Sequence, residues 1–302
     1  MRGGWRPETN GCIGRREGGP AALFMSGVLR RSAVAGTWYP GSPRAIVAEV
    51  EEYLAAAGRP QVVGRLVGLI SPHAGLRYSG PVAAHAYALL RGRPSLTAVL
   101  VGPSHRVAFP GLSVFARGAF ETPLGRVPIA DDLAADLLAA DPAVQDLPGP
   151  HAEEHSLEMQ LPFLQHLVST LRIVPILMGS QSRAEVEVLS RTLARVLAGR
   201  DVLLIASTDL SHYQSAPVAH RLDALVTRDV ERFDPDGLLD RLESSPGHAC
   251  GGGPLVAVMK AARALGADRS AILRYGDSGD VGEGDKSRVV GYLSAALVAG
   301  GA

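Results

Sequence analysis

Four short apolar runs constrain this chain more than anything else in it: 66–71 (LVGLIS), 97–102 (TAVLVG), 172–179 (RIVPILMG) and 201–207 (DVLLIAS). Each is rich in Val, Ile and Leu, and each ends at small or turn-forming residues. A run that is apolar without alternation fits a strand covered on both faces, as in a parallel sheet flanked by helices. Segments with helical spacing lie between them, at 43–57, 79–91, 130–140, 154–169, 183–199, 217–232 and 253–265. This alternation predicts an α/β fold: a single domain over 28–302, with a mainly parallel central sheet and helices on both faces. Two further strands are expected at 270–277 and 287–297, around a Gly/Asp loop. Residues 114–130 read as a hairpin about the turn at Pro123–Gly125. There is no internal repeat and no interdomain linker.

Composition narrows the function classes. Lys+Arg and Asp+Glu are both 30, so no basic excess points to nucleic acid or to an anionic membrane. No apolar run approaches the roughly 20 residues of a membrane span. The two cysteines, Cys12 and Cys250, stand in unrelated contexts, which argues against a disulfide framework and for a reducing cytoplasm. Residues 1–27 are rich in Gly and Arg and have no apolar periodicity. They read as a disordered tail, or as sequence ahead of a start at Met25.

In an open α/β sheet, ligands bind beyond the carboxyl ends of the strands. Three of the four runs end there in polar clusters: Pro72-His73-Ala74-Gly75, Pro103-Ser104-His105, and Thr208-Asp209-Leu210-Ser211-His212. One such histidine is usually structural; three in the same topological place predict one cleft. Cys250 adds a fourth element, in His248-Ala249-Cys250-Gly251-Gly252-Gly253-Pro254. Glycine amides and a helix start beside a thiol suit a soft metal ligand, or equally a thiolate nucleophile with a His base. A buried inert cysteine is the plainer alternative. The three glycines suggest that something approaches them closely.

The segment His151-Ala152-Glu153-Glu154-His155-Ser156-Leu157-Glu158 contains H-x-x-E-H, a zinc-peptidase pattern easily met by chance. Pro148 and Pro150 place His151 in a turn, outside the helix that such a site needs. His155 and Glu158, three apart, are expected to share a face toward the cleft. His85, His166 and His220 read as ordinary helix residues. The acidic loop Asp277, Asp280, Glu283 and Asp285 reads as solvated rather than as a cation site.

Together these motifs carry a resemblance. Gly36-Thr37-Trp38-Tyr39-Pro40, Pro72-His73-Ala74-Gly75 with Tyr78-Ser79-Gly80, Gly102-Pro103-Ser104-His105, Glu154-His155-Ser156-Leu157-Glu158 and Ser207-Thr208-Asp209-Leu210-Ser211-His212 occur in one order. In that order they resemble the Memo family, and within it the prokaryotic AmmeMemoRadiSam system protein B group, from about Arg30 to Leu297. The resemblance implies a fold similar to class III extradiol dioxygenases. It implies a mononuclear site of two His and one Cys, which falls on His73, His105 and Cys250. Asp209 and His212 match further pocket residues, with His212 where the dioxygenases are expected to keep their acid/base histidine. His155 joins them as a candidate catalytic residue.

Cys250 stands where the dioxygenases complete their iron triad with a carboxylate, which separates this chain from simple ring cleavage. The implied cofactor is one metal ion, Fe(II) or copper ahead of zinc, serving redox or dioxygenase-like chemistry. The implied partners are a small molecule or peptide, together with radical-SAM and AMMECR-type proteins. Imidazole and thiolate suit such ions, and three ligands leave a coordination position open. Asp209 is then expected to orient a His ring and His212 to move protons. The competing readings are a non-catalytic binding module using the same cleft, and a Cys250 hydrolase.

Overall fold

The computed structural model describes Met1 and residues 28–245, 247–281 and 284–300. The expected tail, with Cys12, lies outside the described residues except for Met1. Among the described residues twelve strands, numbered along the chain, form two sheets. The smaller joins β1 (Leu29–Arg30), β5 (Ala119–Thr122) and β6 (Gly125–Pro128). The expected hairpin is the β5–β6 pair, closed between Thr122 and Gly125.

The main sheet holds β2 (Arg65–Ser71), β3 (Ser95–Pro103), β4 (Leu112–Val114), β7 (Val144–Asp146), β8 (Thr170–Met178), β9 (Leu203–Ser207), β10 (His212–Gln214), β11 (Arg269–Asp277) and β12 (Val289–Ala299). Its order is β10-β12-β2-β9-β3-β8-β4-β7, with β11 on the other side of β12. The four apolar runs of the sequence are the central strands β2, β9, β3 and β8, all parallel. The flanks are not: β12 runs antiparallel to β2 and to β11, and β4 runs antiparallel to β8. Chain length explains this. A parallel neighbour needs a crossover of a dozen or more residues. Only 104–111 separate β3 from β4, so β4 starts at the edge where β3 ended and runs back. The same holds for 278–288 between β11 and β12.

Residues 67–71 of β2 are all buried, so both faces of the sheet are covered. The helix Leu76–Tyr87 packs on β2, β11 and β12, while the helix Gly252–Ala264 packs on β2, β3 and β9. One expected helix is largely absent. Residues 154–157 form an irregular turn, followed by a 3-10 turn (Glu158–Gln160) and a short helix (Leu161–Leu167). Helix Pro235–Ser244, which joins the Gly252–Ala264 layer, was not foreseen.

Strand register positions the site. Ser71 of β2 pairs with Ser207 of β9, and Val101 of β3 pairs with Ala206 of β9. The three strands therefore end nearly level, and the residues that follow them emerge at one edge.

Candidate metal centre

His73 follows β2 by two residues and is buried. Its Nδ1 lies 2.8 Å from Ser207 Oγ. That hydroxyl donates to the Ser156 carbonyl (2.7 Å) and accepts from Gln160 Nε2 (2.8 Å). With its only hydrogen committed, Ser207 accepts from His73, so the proton sits on Nδ1 and Nε2 carries a lone pair. Tyr87 fixes Gln160 in turn, through its hydroxyl on Oε1 (2.5 Å).

His105 follows β3 by two residues, with its ring 28% exposed. Its Nδ1 is 2.9 Å from Glu154 Oε1, and its backbone N–H donates to Oε2 of the same carboxylate. Nδ1–H is therefore the donor, and Nε2 is again left as a lone pair. Burial alone would push the Glu154 carboxyl up, but its contacts with His105 outweigh this and hold it down at about 2. Gly102 lets the Glu154 turn approach β3: a Cβ there would stand 2.8 Å from Leu157 Cδ2 and 2.9 Å from Ser156 Oγ. In His212, Nδ1 lies 2.8 Å from the Leu210 carbonyl and donates to it.

Cys250 Sγ stands 3.2 Å from His73 Nε2 and accepts the Asp209 N–H at 3.3 Å. One ligand atom each from His73, His105 and Cys250 can be chosen so that all lie within 4.8 Å of one another. The sets His105–Glu154–His155 and Asp209–His212–Cys250 meet the same test. The first of these two is a weaker ion site, because the Glu154 oxygens already accept the two His105 donors and the Ser156 N–H (2.9 Å).

The donor set suits one ion: two imidazoles and a sulfur bring ligand atoms within 4.8 Å of one another, with both Nδ1 atoms held elsewhere. Burial pushes the Cys250 thiol well above its usual value, reinforced by Asp209. This counters the expectation that nearby amides lower it. Burial, with His105 beside it, holds His73 neutral, its pKa lowered to about 3.

Several expectations are corrected. Asp209 does not orient a histidine ring: its Oδ1 accepts the His73 and Ala74 N–H groups (2.7 and 3.3 Å), shaping the loop. Its Oδ2 stands 4.0 Å from His73 Nε2, and burial raises its pKa to about 6. His155 and Glu158 do not share a face. The His155 ring stacks on His105 (4.6 Å between centroids) and lies 4.2 Å from Trp38, at the cleft. Glu158 turns the other way, to Arg30, the Tyr39 hydroxyl (2.7 Å) and the Ala33 N–H (2.8 Å).

His151 packs among Phe115 and Phe120 with Nε2 on Ser113 Oγ (3.0 Å), so HAEEH is not a zinc clamp. The glycines after Cys250 are explained by the protein itself: a Cβ on Gly251 would meet the Ser207 carbonyl at 2.4 Å. Asp277 is buried and paired with Lys286 and His220 rather than solvated, while Glu283 lies outside the described residues.

Sequence reasoning missed three supports: Glu154 and Ser207, which hold the histidines, and Arg30 behind them. Arg30 donates to the Glu154 carbonyl (2.6 Å) and the His151 carbonyl (2.9 Å), and pairs with Glu158. The Glu154-His155-Ser156-Leu157-Glu158 motif was the available signal, since it packs two carboxylates around a histidine. The cleft, about 500 Å³, is walled by Trp38, Ala74, Tyr213, Ala249 and Val290 as well as the groups above. Tyr213 holds a left-handed backbone (φ 59°), uncommon for a non-glycine residue.

Residues 30–296 match the model of the Memo-like protein family. A MEMO1 family protein of Methanothermobacter thermautotrophicus is 38% identical over 275 residues, spanning 88% of this chain and 99% of the relative. Those of Ignicoccus hospitalis and Methanocaldococcus jannaschii are 37% and 36% identical, each spanning 88% of this chain and 98% of the relative. An uncharacterized protein of Escherichia coli K12 shares the fold alone, with a TM-score of 0.53 and 18% identity over 77% of this chain and all of that one. On its full-length relatives and its family match, the chain belongs to the Memo family.

Proposed function

We propose that the protein is a mononuclear metal protein in which His73, His105 and Cys250 hold one Fe(II) or copper ion, used for redox chemistry on a small molecule in the adjoining cleft. The supporting observation is that His73, His105 and Cys250 bring ligand atoms within 4.8 Å of one another, with His73 Nε2 3.2 Å from the sulfur, while both Nδ1 atoms are engaged elsewhere. When bound, such an ion supplies one-electron chemistry and a position open to an external ligand. The chain's own groups do the rest. Asp209 and His212 lie beside Cys250 on the same side of the cleft. Asp209, with its pKa raised to about 6, can hold a proton near neutral pH, and His212, its Nδ1 given to the Leu210 carbonyl, keeps Nε2 as a hydrogen-bond acceptor. The Trp38 and His155 rings, 4.2 Å apart and tilted by 46°, line the wall against which a substrate would rest. A Cys250 hydrolase is disfavoured, because the thiol is held protonated in the free protein. Radical-SAM and AMMECR-type partners belong to the same proposal.

The test is anaerobic purification followed by elemental mass spectrometry, beside the double variant His73→Ala/His105→Ala. About one ion per chain is expected in the parent and almost none in the variant. Equally negligible metal in both sinks the metal reading and leaves a binding module that uses the same cleft.

A further inference from the structure

We infer that the two histidines of the candidate site are electronically unequal, and that Glu154 makes it so, biasing the site toward divalent over monovalent ions. The inference rests on reading His73, His105 and Cys250 as ligands.

The two rings meet different partners at Nδ1. His73 donates to a hydroxyl, and that hydroxyl passes its own proton to a backbone carbonyl, so no net charge stands behind the ring. His105 donates to a buried carboxylate whose two oxygens accept three N–H groups. Three donors and no acceptor mark the carboxylate as the ionised form. Among the described residues its charge meets no Lys or Arg: its side-chain ion-pair contacts are with His105 and His155. Arg30 reaches only its backbone carbonyl.

A carboxylate behind an imidazole N–H increases the basicity of the opposite nitrogen. His105 Nε2 is thus the stronger donor and His73 Nε2 the ordinary one. Glu154 also adds one negative charge to those that a thiolate and the Asp209 carboxylate, 4.0 Å from His73 Nε2, bring to the site. In a setting of low effective dielectric, each added charge favours a 2+ ion more than a 1+ ion. The sequence His105…Glu154 is therefore a selectivity device and not only a brace.

The experiment compares Zn(II) and Cu(I) dissociation constants, by competition with chelators of known affinity, for the parent, Glu154→Gln and Ser207→Ala. Gln keeps an oxygen for the Nδ1–H and removes the charge. Glu154→Gln is expected to weaken Zn(II) roughly 10–100-fold and Cu(I) by clearly less. Ser207→Ala, which changes no charge, is expected to weaken both ions alike. Equal losses for both ions in Glu154→Gln, or no loss, overturn the inference. A parent chain that binds neither ion overturns the metal reading beneath it, and with it this inference.

Should Glu154→Gln fail to fold, the zinc-loaded parent supplies the answer by proton NMR of its imidazole N–H groups. The His105 Nδ1–H is expected well downfield of the His73 Nδ1–H, and coincident resonances overturn the proposal.

Discussion

His73 and His105 occupy equivalent places, each two residues past a parallel strand, yet the protein holds them in different ways. The His73 side is made from the sheet and its helices. Its ring is buried, its Nδ1 meets Ser207 at the end of β9, and Gln160 and Tyr87 lock that hydroxyl. The His105 side is made from an irregular turn. Its ring is part-exposed, Glu154 holds it, and Arg30 holds the Glu154 turn from a two-residue strand over a hundred residues away. The first arrangement inherits rigidity from strand register. The second depends on one buried ion pair, Arg30–Glu158.

The largest test of this contrast is Arg30→Met. It leaves Glu158 buried without its cation and frees two carbonyls, so a loss of about 3–5 kcal/mol is expected in urea unfolding. Metal retention should fall with it, through the His105 side. A loss under about 1 kcal/mol would show that the turn supports itself.

The His73 side has a smaller counterpart in Gly251→Ala. The new Cβ would stand 2.4 Å from the Ser207 carbonyl, a backbone atom that cannot swing aside. Overpacking of this kind costs about 1–3 kcal/mol. It should also displace Cys250 from His73, read as weaker metal binding. An unchanged melting temperature and affinity would mean that this wall is softer than its register suggests.

The smallest effect is pH dependence in the metal-free protein. Burial holds His151, His73 and His155 neutral, with pKa values lowered to about 3. The unfolded chain binds more protons below 6.5, so their contribution is complete above that pH and is lost as pH falls toward 3. Each histidine accounts for roughly 1 kcal/mol per pH unit within the window. Asp209 acts oppositely: its pKa is raised to about 6, so it offsets part of the loss between 6 and 3.8. Urea midpoints should therefore drop between pH 6.5 and 5, and less steeply in a folded His151→Gln variant. Equal slopes in the parent and the variant would refute the burial argument for that histidine.

The sequence made one half of this picture legible. Continuous apolar runs identify β2, β3, β8 and β9, and the polar residues just past three of them are where the cleft lies. That inference works because parallel strands end level when their registers match. The antiparallel flanks were not visible, since β4 is three residues long and its direction follows from a short loop. Glu154 was hidden for a similar reason. Its spacing fits a helix, but packing against Gly102 and Arg30 makes it a turn, and no local pattern states which distant residue a turn will face. The Gly251-Gly252-Gly253 run misled in the other direction: close approach was read correctly, but what approaches Gly251 is the backbone of β9 and not a ligand.

The separation of the candidate ligands along the chain has a kinetic meaning. His73 and Cys250 are 177 residues apart and still in contact, with His105 contributed from between them. No partly folded stretch can present all three, so an ion held by them binds only the completed chain. Such an ion leaves the rate of folding unchanged and slows unfolding. Its occupancy would set the lifetime of the native state rather than help to create it.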